Sequence, residues 1–592
     1  MCGIVGGVGK LNLREYLISG LKKLEYRGYD SAGMAYVEDG KVVMHKVAGR
    51  VSSLDAIVPA DAHPSVGIAH TRWATHGQPN ATNAHPHQSN KGLFTIVHNG
   101  VIENFRPLVH QLKARGYTFQ SETDTEVVAN VLERYYLRSG SVLEAISQAI
   151  DALEGSYACA IIFRDEPNRL YFMKNASPLL LGLVDGAGLL ASDAVPMIEM
   201  TDKFVDVDDG DYGYIEANKV RLFHGSKEIP LTFVARSVDQ FKNELGDYPH
   251  YMIKEIEEIP GVVHRLLDNY FDGERFLFNP QLMEAIRNTK KIHFLACGTS
   301  YYASKLGAKF FRPMGKEVLV SIASEWAYDP YDVREDTVFV LLSQSGETAD
   351  LIRCQKIIND RGGTTVAVTN TKGSTIERKA TFSCLLYAGL EVAVASTKSY
   401  VAQVCFLSML VAAMKNEPDD ILDIDRLNEA IREIIDRREE IHEVAKGVHS
   451  ARDAFFVGRG YDYLACMEGA LKLKEVAYVH AEAYPGGELK HGPIALIEPG
   501  TLVVGFVSDP ENVSSMRNNF EELRARQGHL VIFSIGGLSA PGDAFVVKQN
   551  VKSYLASTAL VVASQLFAYY VALECGHPID KPRNLAKSVT VE

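Results

Sequence analysis

The feature that most constrains the fold is a pattern that occurs twice in the C-terminal half of this 592-residue chain. In the first copy, the apolar run Ile292–Ala296 is followed by Cys-Gly-Thr-Ser and a helix-like stretch. In the second copy, about 160 residues later, Phe455–Val457 is followed by Gly-Arg-Gly and a similar stretch. Apolar strands that alternate with helices are typical of a parallel sheet covered on both faces. The sequence therefore predicts two similar α/β domains, over residues 281–420 and 445–580.

The rest of the chain differs in texture from these two domains. Residues 1–235 are rich in Gly, His, Thr and Asn and contain short alternating stretches such as Leu93–His98, which predicts sheet with tight turns. Two helical patterns interrupt it, at residues 126–132 and 142–153. Residues 221–280 are interpreted as a connector with helical pieces, and residues 581–592 as an irregular tail. Between the α/β domains, apolar spacing from Asp423 to Val448 predicts one amphipathic helix.

Composition excludes several classes of protein. The chain has 61 basic and 74 acidic residues, a net charge of −13, which argues against a nucleic-acid binder that neutralises phosphates. Its eight cysteines form no C-x-x-C pair, so neither a disulfide scaffold nor a zinc ribbon is expected. With no visible secretory signal, a reducing cytoplasm is the predicted location. The most apolar stretch, Ala559–Leu573, is shorter than the roughly 20 residues that span a bilayer and is predicted to be a buried helix.

Cys2 is the first candidate catalytic residue. If the initiator Met is removed, the thiol and the α-amino group belong to the same N-terminal residue. An amine with a pKa near 8 is able to accept the thiol proton and leave a nucleophilic thiolate at neutral pH. An incidental cysteine near the start of the chain is the alternative, and Cys2 alone does not decide between the two.

Five motifs follow Cys2 in order: Arg27-Gly-Tyr-Asp-Ser-Ala-Gly33, His70-Thr-Arg-Trp-Ala-Thr-His-Gly77, Asn83-Ala-His-Pro-His87, His98-Asn-Gly100 and Ser121-Glu-Thr-Asp-Thr125. With them, residues 2–220 resemble the class II glutamine amidotransferases, whose glutaminase domain has the N-terminal-nucleophile αββα fold. The resemblance implies that Cys2 attacks the amide carbonyl of glutamine and that Asn99 and Gly100 form the oxyanion hole. It implies that Arg72 pairs with the α-carboxylate of glutamine and that Asp124 holds the α-ammonium group. The residues implied to line the pocket and its mobile cover are Trp73, Thr75 and His76.

Two other interpretations of this region carry less weight. The glycines at 3, 6, 7 and 9 suggest a dinucleotide loop, but that motif needs a preceding strand, for which there is no room. Six histidines are close in sequence and suggest a metal site: His63, His70, His76, His85, His87 and His98. No Asp or Glu occurs from Ala62 to Ile102, and the amidotransferase motifs account for several of these histidines without a metal.

Three turns rich in hydroxyl groups mark the first α/β domain: Cys297–Ser300, Ser343–Thr348 and Val394–Lys398. Each is expected at the end of a strand, where hydroxyl groups and helix N-termini bind anions in a shared crevice. Helix capping by Ser and Thr is the alternative. Because Ser-x-Ser-Gly-x-Thr recurs in sugar isomerase (SIS) domains, the two α/β domains resemble SIS domains with flavodoxin-like parallel sheets. The residues implied to hold sugar and phosphate are Thr299, Ser300, Ser343, Gln344, Ser345, Thr348, Ala395 and Ser396.

Downstream segments extend the resemblance to nearly the whole chain: Glu468–Glu475, Ala481–Tyr484, Glu488–Pro493 and Leu585–Glu592. Joined to the amidotransferase half, they resemble the family of isomerising glutamine–fructose-6-phosphate aminotransferases. The resemblance implies that Lys587 forms a Schiff base with the ketose and that Glu475 moves a proton between C1 and C2. It implies that His491 opens the sugar ring and that Lys472 assists near the sugar hydroxyls. A solvated helix face for residues 472–475 and an exposed tail lysine are the alternatives.

The predicted reaction converts L-glutamine and D-fructose 6-phosphate to L-glutamate and D-glucosamine 6-phosphate. No Walker or metal motif is present in the sequence, so neither ATP, a metal nor an organic cofactor is expected. A shielded ammonia passage gated near Trp73, and a homodimer, are implied by the resemblance. Two other functions are alternatives. Another class II amidotransferase would need a diphosphate- or pyrophosphate-binding motif, which is missing from the sequence. A non-catalytic SIS sensor would need an output domain.

Overall fold

The computed structural model describes residues 2–25, 28, 30–74, 76–236 and 244–590. The chain divides into two compact units: residues 1–242 with 588–592 form the first, and residues 243–587 form the second. One predicted site residue, Thr75, lies outside the described residues.

The first unit is built mainly from strands. Its strands are β1 (Gly3–Gly9), β2 (Ser31–Glu38), β3 (Lys41–Ala48), β4 (Val66–Arg72), β5 (His87–Gln88), β6 (Phe94–Ile102), β7 (Gly155–Phe163), β8 (Leu170–Asn175), β9 (Leu180–Val184), β10 (Ala187–Ala191), β11 (Lys203–Asp206), β12 (Asp211–Glu216), β13 (Lys219–His224), β14 (Lys227–Ile229) and β15 (Phe233–Ala235). Its helices are α1 (Leu13–Leu24), α2 (Val51–Asp55), α3 (Phe105–Lys113), α4 (Thr125–Ser139) and α5 (Val142–Ala152). The helical patterns predicted at 126–132 and 142–153 are thus confirmed as α4 and α5.

These strands form two antiparallel sheets, ordered β15-β11-β9-β10-β1-β4-β2-β3 and β14-β13-β12-β8-β7-β6-β5. Period-two alternation along β1 shows how they stack: Ile4 and Val8 belong to the core between the sheets, whereas Val5 faces α1. A third core lies between the second sheet and helices α3 to α5. The layers are therefore helix, sheet, sheet, helix, which confirms the predicted αββα class. The glycines at 3, 6, 7 and 9 lie within β1 and not in a loop.

The sheets extend past the domain end predicted at residue 220. Strand β14 continues the second sheet and β15 pairs with β11 of the first. Part of the segment interpreted as a connector is therefore sheet.

The second unit contains alternating strands and helices. Its strands are β16 (Lys291–Ala296), β17 (Glu317–Ile322), β18 (Thr337–Ser343), β19 (Thr364–Thr369), β20 (Phe382–Leu385), β21 (Asp453–Gly458), β22 (His480–Pro485), β23 (Leu502–Val507), β24 (His529–Ile535) and β25 (Phe545–Val547). Its helices are α6 (Tyr251–Glu257), α7 (Ile259–Tyr270), α8 (Pro280–Asn288), α9 (Gly298–Phe311), α10 (Ala323–Trp326), α11 (Ala349–Asp360), α12 (Thr375–Lys379), α13 (Lys398–Lys415), α14 (Ile421–Asp436), α15 (Arg438–Lys446), α16 (Tyr461–Ala477), α17 (Val513–Arg524) and α18 (Ser553–Glu574).

The strands form two five-stranded parallel sheets, ordered β17-β16-β18-β19-β20 and β22-β21-β23-β24-β25. Both have the order 2-1-3-4-5 of flavodoxin-like sheets, which confirms the predicted pair of similar domains. In such sheets ligands bind beyond the carboxyl ends of the strands, next to the point where the strand order reverses. For the first sheet these ends are the turns after β16 and β18.

Two helix predictions had different outcomes. The single helix expected from Asp423 to Val448 is wrong: α14 ends at Asp436 and α15 begins at Arg438. The break falls at Arg437, whose guanidinium bonds Glu433 on one helix and Glu440 on the next. By contrast, the prediction of a buried helix at Ala559–Leu573 is confirmed. Helix α18 is long and apolar enough to cross a membrane, yet all of its most apolar window is buried within the protein.

Candidate active sites

The structure places Cys2 directly before β1, a central strand of the first sheet, and beside the end of β4. Strand β1 starts at the next residue, and its register sets Gly3 opposite Thr71. The Cys2 Sγ therefore lies 3.2 Å from the backbone nitrogen of Trp73, which donates to it. Burial raises the pKa of the Cys2 thiol, while the Trp73 N–H and the Arg72 guanidinium act in the opposite direction. The half-buried sulfur thus lies next to donors that stabilise a thiolate.

Asn99 presents its amide nitrogen to Cys2. His70 Nε2 lies 3.0 Å from the carbonyl oxygen of His98, and because a carbonyl only accepts, this nitrogen carries the proton. The same N–H faces Asn99 Oδ1 at 3.0 Å, which fixes the orientation of the amide. Asn99 Nδ2 is then turned towards Cys2 and donates to its carbonyl oxygen at 3.1 Å. The arrangement aims an amide donor at the neighbourhood of the nucleophile, as an oxyanion hole requires.

Gly100, the other predicted oxyanion-hole residue, has a backbone that only glycine adopts comfortably. Its φ is +124°, and an added Cβ would lie 2.0 Å from the carbonyl oxygen of Ser156 on β7. Position 100 therefore holds glycine for the close pairing of β6 with β7.

Arg72 and Asp124, predicted to bind the ends of glutamine, are both buried in the first unit. The Arg72 guanidinium donates to the carbonyl oxygens of His76, Gly77 and Gln78, so it orders the loop after β4. Asp124 precedes α4 and accepts the Ile102 N–H at 2.8 Å. The structure brings both residues into the same unit as Cys2, and their contacts with glutamine stay predictions.

Trp73 and His76, two further predicted pocket residues, are partly exposed. Trp73 bonds Cys2 through its backbone, and the His76 ring meets the edge of Phe105 at a centroid distance of 5.0 Å. Both follow β4 directly, where a mobile cover was expected.

Four of the six clustered histidines form a buried network. His85 stacks on His70 at 4.1 Å, and the Thr125 hydroxyl joins His85 Nε2 to His98 Nδ1. Burial lowers the pKa of His70 to about 3 and also lowers that of His85, His87 and His98. The rings are therefore neutral and serve as hydrogen-bonding and packing groups. Among the described residues, no group of three or more His, Cys, Asp or Glu is arranged to hold a metal ion.

Lys587 is folded back into the second unit instead of extending into solvent. Only 4% of its side chain is exposed, and Nζ lies 2.6 Å from Glu391 Oε2 and 3.2 Å from Ser396 Oγ. Burial by itself raises the pKa of Glu391, but the Lys587 ammonium and backbone donors bring it down to about 2. The predicted Schiff-base lysine is thus held in a buried ion pair, and the alternative of an exposed tail residue is wrong.

Glu391 is a partner that sequence reasoning missed. It lies in the apolar stretch Leu390–Ala395, and a carboxylate inside such a stretch is the signal that would have pointed to it. Its carboxylate also accepts the Thr397 and Ser399 N–H groups, so it links the middle of the loop before α13 to the start of that helix.

One face of α16 carries three ionisable residues, Glu468, Lys472 and Glu475. Lys472 is fully buried, with Nζ 2.5 Å from Glu475 and 3.0 Å from the Thr299 hydroxyl. Burial acts to lower the pKa of Lys472, but the neighbouring carboxylates raise it overall, whereas burial raises the pKa of Glu468 to about 8. The hydrogen bond from Lys472 to Thr299 joins α16 to the first turn of α9, so Lys472 is not part of a solvated helix face.

The hydroxyl-rich turn after β18 is tightly constructed. Ser343 Oγ accepts the Gly346 N–H at 3.0 Å and lies 3.1 Å from the Thr348 hydroxyl. Gly346 has φ +66°, with Ser374 Oγ where a Cβ would be. Thr348 occupies the N-cap of α11, yet its side chain makes no capping bond to that helix. Capping therefore does not account for the hydroxyl groups of this turn, which favours the anion-binding interpretation.

The remaining predicted sugar-site residues lie in several places. Ser300 is buried in α9, where its hydroxyl accepts from Gln403. Ala395 and Ser396 were expected at the end of a strand, but this is wrong: they lie in the long loop between β20 and α13. They precede the start of α13 and not the end of a strand, and Glu391 holds this segment by accepting the Thr397 and Ser399 N–H groups. His491 is exposed in a short 3-10 helix, Glu488–His491.

Comparison with known proteins agrees with the division of the chain into one amidotransferase domain and two α/β domains. Residues 70–198 match the model of a glutamine amidotransferase domain, and residues 285–413 and 448–574 each match that of an SIS domain. The C-terminal domain of glucosamine-fructose-6-phosphate aminotransferase from Francisella tularensis is similar in structure, with a TM-score of 0.53 and 30% identity over 57% of this chain and 100% of that one. The fold and sites define the class: a glutamine amidotransferase domain joined to two SIS domains.

Full-length relatives narrow the class to one family. The chain is 42% identical over 603 residues to the glutamine–fructose-6-phosphate aminotransferase (isomerising) of Geobacillus kaustophilus. It is 43% identical over 604 residues to that of Bacillus cereus and 42% identical over 604 residues to that of Staphylococcus aureus. In each case the match covers 100% of both chains. The chain therefore belongs to the family of isomerising glutamine–fructose-6-phosphate aminotransferases.

Proposed function

We propose that this chain transfers the amide nitrogen of L-glutamine to D-fructose 6-phosphate and isomerises the product to D-glucosamine 6-phosphate. The observation that carries the proposal is the buried Lys587–Glu391 pair on a chain that also holds a half-buried Cys2 next to hydrogen-bond donors. One site suits amide hydrolysis and the other suits imine chemistry at a ketone.

In the glutaminase unit, the Cys2 thiolate adds to the amide carbonyl of glutamine. The Asn99 amide donor stabilises the oxyanion that develops, and the α-amino group of Cys2 passes the thiol proton to the leaving nitrogen, so that ammonia departs. Water then hydrolyses the thioester to glutamate. Arg72 and Asp124 would bind the α-carboxylate and α-ammonium groups. Three of the five N–H groups of the Arg72 guanidinium bond the 76–78 loop, so the same side chain would hold both the loop and the carboxylate of glutamine.

In the SIS unit, the Lys587 ammonium group gives up a proton, for which the adjacent Glu391 carboxylate is an acceptor. The resulting amine adds to C2 of the open-chain ketose and water leaves, which forms an imine. Ammonia then displaces Lys587 at C2. Transfer of a proton from C1 to C2 by Glu475 converts the fructosimine to the aldose. The turn from Ser343 to Thr348 would hold the phosphate, and the Lys472 ammonium, joined to Thr299, would face the sugar hydroxyls.

Two variants separate the two chemistries. Cys2→Ala should abolish glutamate formation and leave the isomerisation of fructose 6-phosphate to glucose 6-phosphate intact. Lys587→Arg keeps the charge but cannot form the imine, so it should hydrolyse glutamine without making amino sugar. A coupled assay for glutamate and glucosamine 6-phosphate measures both. If a folded Cys2→Ala protein loses both activities, the division of labour is wrong.

The imine can be tested directly. Borohydride added to the protein with fructose 6-phosphate should reduce the imine and leave a hexitol phosphate on the peptide that contains Lys587, detected by mass spectrometry. Absence of that adduct in active protein would contradict the assignment of Lys587.

We also propose that the chain forms a homodimer, on the support of its family membership. Light scattering after size exclusion should then give twice the 65.3 kDa of one chain. A mass of one chain at micromolar concentration would contradict it.

A further inference from the structure

Glu255 is a buried carboxyl group that the mechanism above does not use. It lies on α6, and none of its surface is exposed to solvent. Its Oε1 accepts the backbone N–H groups of Val392 and, at 3.3 Å, Ala393. These are the two residues directly after Glu391, so Glu255 grips the loop that carries the partner of Lys587.

Further hydrogen bonds and an ion pair also hold the loop that Glu255 contacts. At one end, the Lys398 ammonium bonds the Leu390 carbonyl oxygen at 2.8 Å and pairs with Glu258 at 2.6 Å. In the middle, the Val394 N–H donates to the carbonyl oxygen of Asp580 at 3.0 Å. The Asp580 carboxylate in turn accepts the first two N–H groups of α6 at 2.9 Å. Helix α6 and the loop are thus held to the same residue, and Glu255 is the direct link between them.

The protonation state of Glu255 follows from its surroundings. Its second oxygen, Oε2, is buried without a hydrogen-bond partner among the described residues. An ionised carboxylate with an unsolvated oxygen is costly, and more so near the negative charge of Glu391. Burial first, and Glu391 second, raise the pKa of Glu255 to about 8, although Lys587 and Lys398 oppose this. Glu255 is therefore a neutral acid at neutral pH, and Glu391 is left as the charged partner of Lys587.

From these contacts we infer that Glu255 is a positioning residue for Lys587: its carboxyl oxygen accepts two backbone N–H groups and so fixes the loop that bears Glu391. It touches no reacting atom. Because Lys587 Nζ is set by Glu391 and Ser396, and both belong to this loop, loss of the grip on Val392 and Ala393 displaces the amine from the ketone. The inference rests on the proposed role of Lys587 as the Schiff-base lysine.

The test compares Glu255→Gln with Glu255→Leu in the full-length protein. Glutamine is neutral, has nearly the same shape and keeps a carbonyl acceptor, so amino-sugar formation should stay within about threefold of the parent. Leucine removes the acceptor and leaves two buried N–H groups unpaired, so kcat for amino-sugar formation should fall by about tenfold or more. The KM for fructose 6-phosphate should change less than kcat, since Ser396 on this loop is a predicted sugar contact whereas the phosphate-binding turn from Ser343 to Thr348 is a separate segment. Glutamate release should be unchanged in both variants.

Glu257→Gln is the matched control. Glu257 lies on the same helix but pairs with Arg438 and bonds Tyr248, so its loss should leave the sugar reaction unchanged. Glutamate release and a thermal melt report whether each variant is folded. If Glu255→Leu does not fold, the comparison of Glu255→Gln with the parent still decides whether the neutral form suffices.

Borohydride trapping separates failure of the inference from failure of the proposed function. If borohydride traps the sugar on Lys587 in the parent, and traps it more slowly in Glu255→Leu, both the inference and the proposed function are supported. Equal trapping rates and equal kcat in the parent and a folded Glu255→Leu overturn the inference, as does a Glu255→Gln protein as impaired as the leucine variant. No trapping at Lys587 in the parent itself overturns the proposed function instead.

Discussion

The coupling between His70 and Asn99 offers the sharpest test of the glutaminase site. Asn99 supplies an amide donor near Cys2, and His70 fixes that amide through a 3.0 Å bond to Oδ1. Removal of one oxyanion-hole donor typically lowers kcat by about 10²–10³-fold, or about 3–4 kcal/mol of transition-state stabilisation. We therefore expect Asn99→Ala to lower the kcat of glutamate release by about that factor.

His70→Leu should have a smaller effect of the same kind. The lost hydrogen bond contributes about 1 kcal/mol to the correct amide orientation, which corresponds to about a fivefold loss of kcat. Since His70 is assigned to act through Asn99, its effect should vanish once the amide is gone. The double variant should then match Asn99→Ala within about twofold, a strongly non-additive cycle.

Glutamate release at saturating glutamine, with fructose 6-phosphate present, measures all three proteins. Asn104→Ala is a control, because the Asn104 amide bonds the Ala152 carbonyl at 2.9 Å in the same unit and has no assigned role. It should show nearly the parent rate. The reasoning is refuted if Asn99→Ala loses less than about tenfold, or if the two losses simply multiply in the double variant.

Three further outcomes follow from other contacts. Gly100→Ala forces a Cβ to within 2.0 Å of the Ser156 oxygen at φ +124°, so a lower melting temperature and lost glutamate release are expected, and a parent-like melt would contradict the strain. Thr348→Val removes the hydroxyl that faces Ser343, so the KM for fructose 6-phosphate should rise several-fold with glutamate release unchanged, while an unchanged KM would argue against phosphate binding. The pKa of Glu391 is about 2, below its unfolded value of 4.5, so its contribution is present above pH 4.5 and is lost as pH falls towards 2. Melting temperatures over that range should fall less steeply for Glu391→Gln, and identical slopes would contradict the assignment.

Local pattern was sufficient for most of the fold. The repeated apolar run, glycine turn and helix predicted two parallel sheets, because consecutive buried strands joined by helices have few other solutions. The single helix over 423–448 was wrong because apolar spacing continues through Arg437, while the break depends on how its guanidinium bridges Glu433 and Glu440. The spacing of apolar residues along the chain gives no indication of that side-chain bridge.

The residues of the two sites likewise divide into those that the sequence identified and those that it did not. Cys2, Asn99, Lys472 and Lys587 were recognisable because each belongs to a short motif that resembles those of known families. His70 as the group that orients Asn99, Glu391 as the partner of Lys587, and Glu255 behind it were not recognisable, since each acts on a residue distant in sequence or through backbone N–H groups.

The sequence by itself determined the two parallel-sheet domains, because periodicity is a local property, and through its resemblance to known families it indicated which side chains carry nucleophilic, imine-forming and anion-binding chemistry. Only the tertiary structure decided which carboxyl groups are charged and where the reactive amine and thiol are held. Burial and the approach of distant partners set those protonation states, and both exist only once the chain has folded.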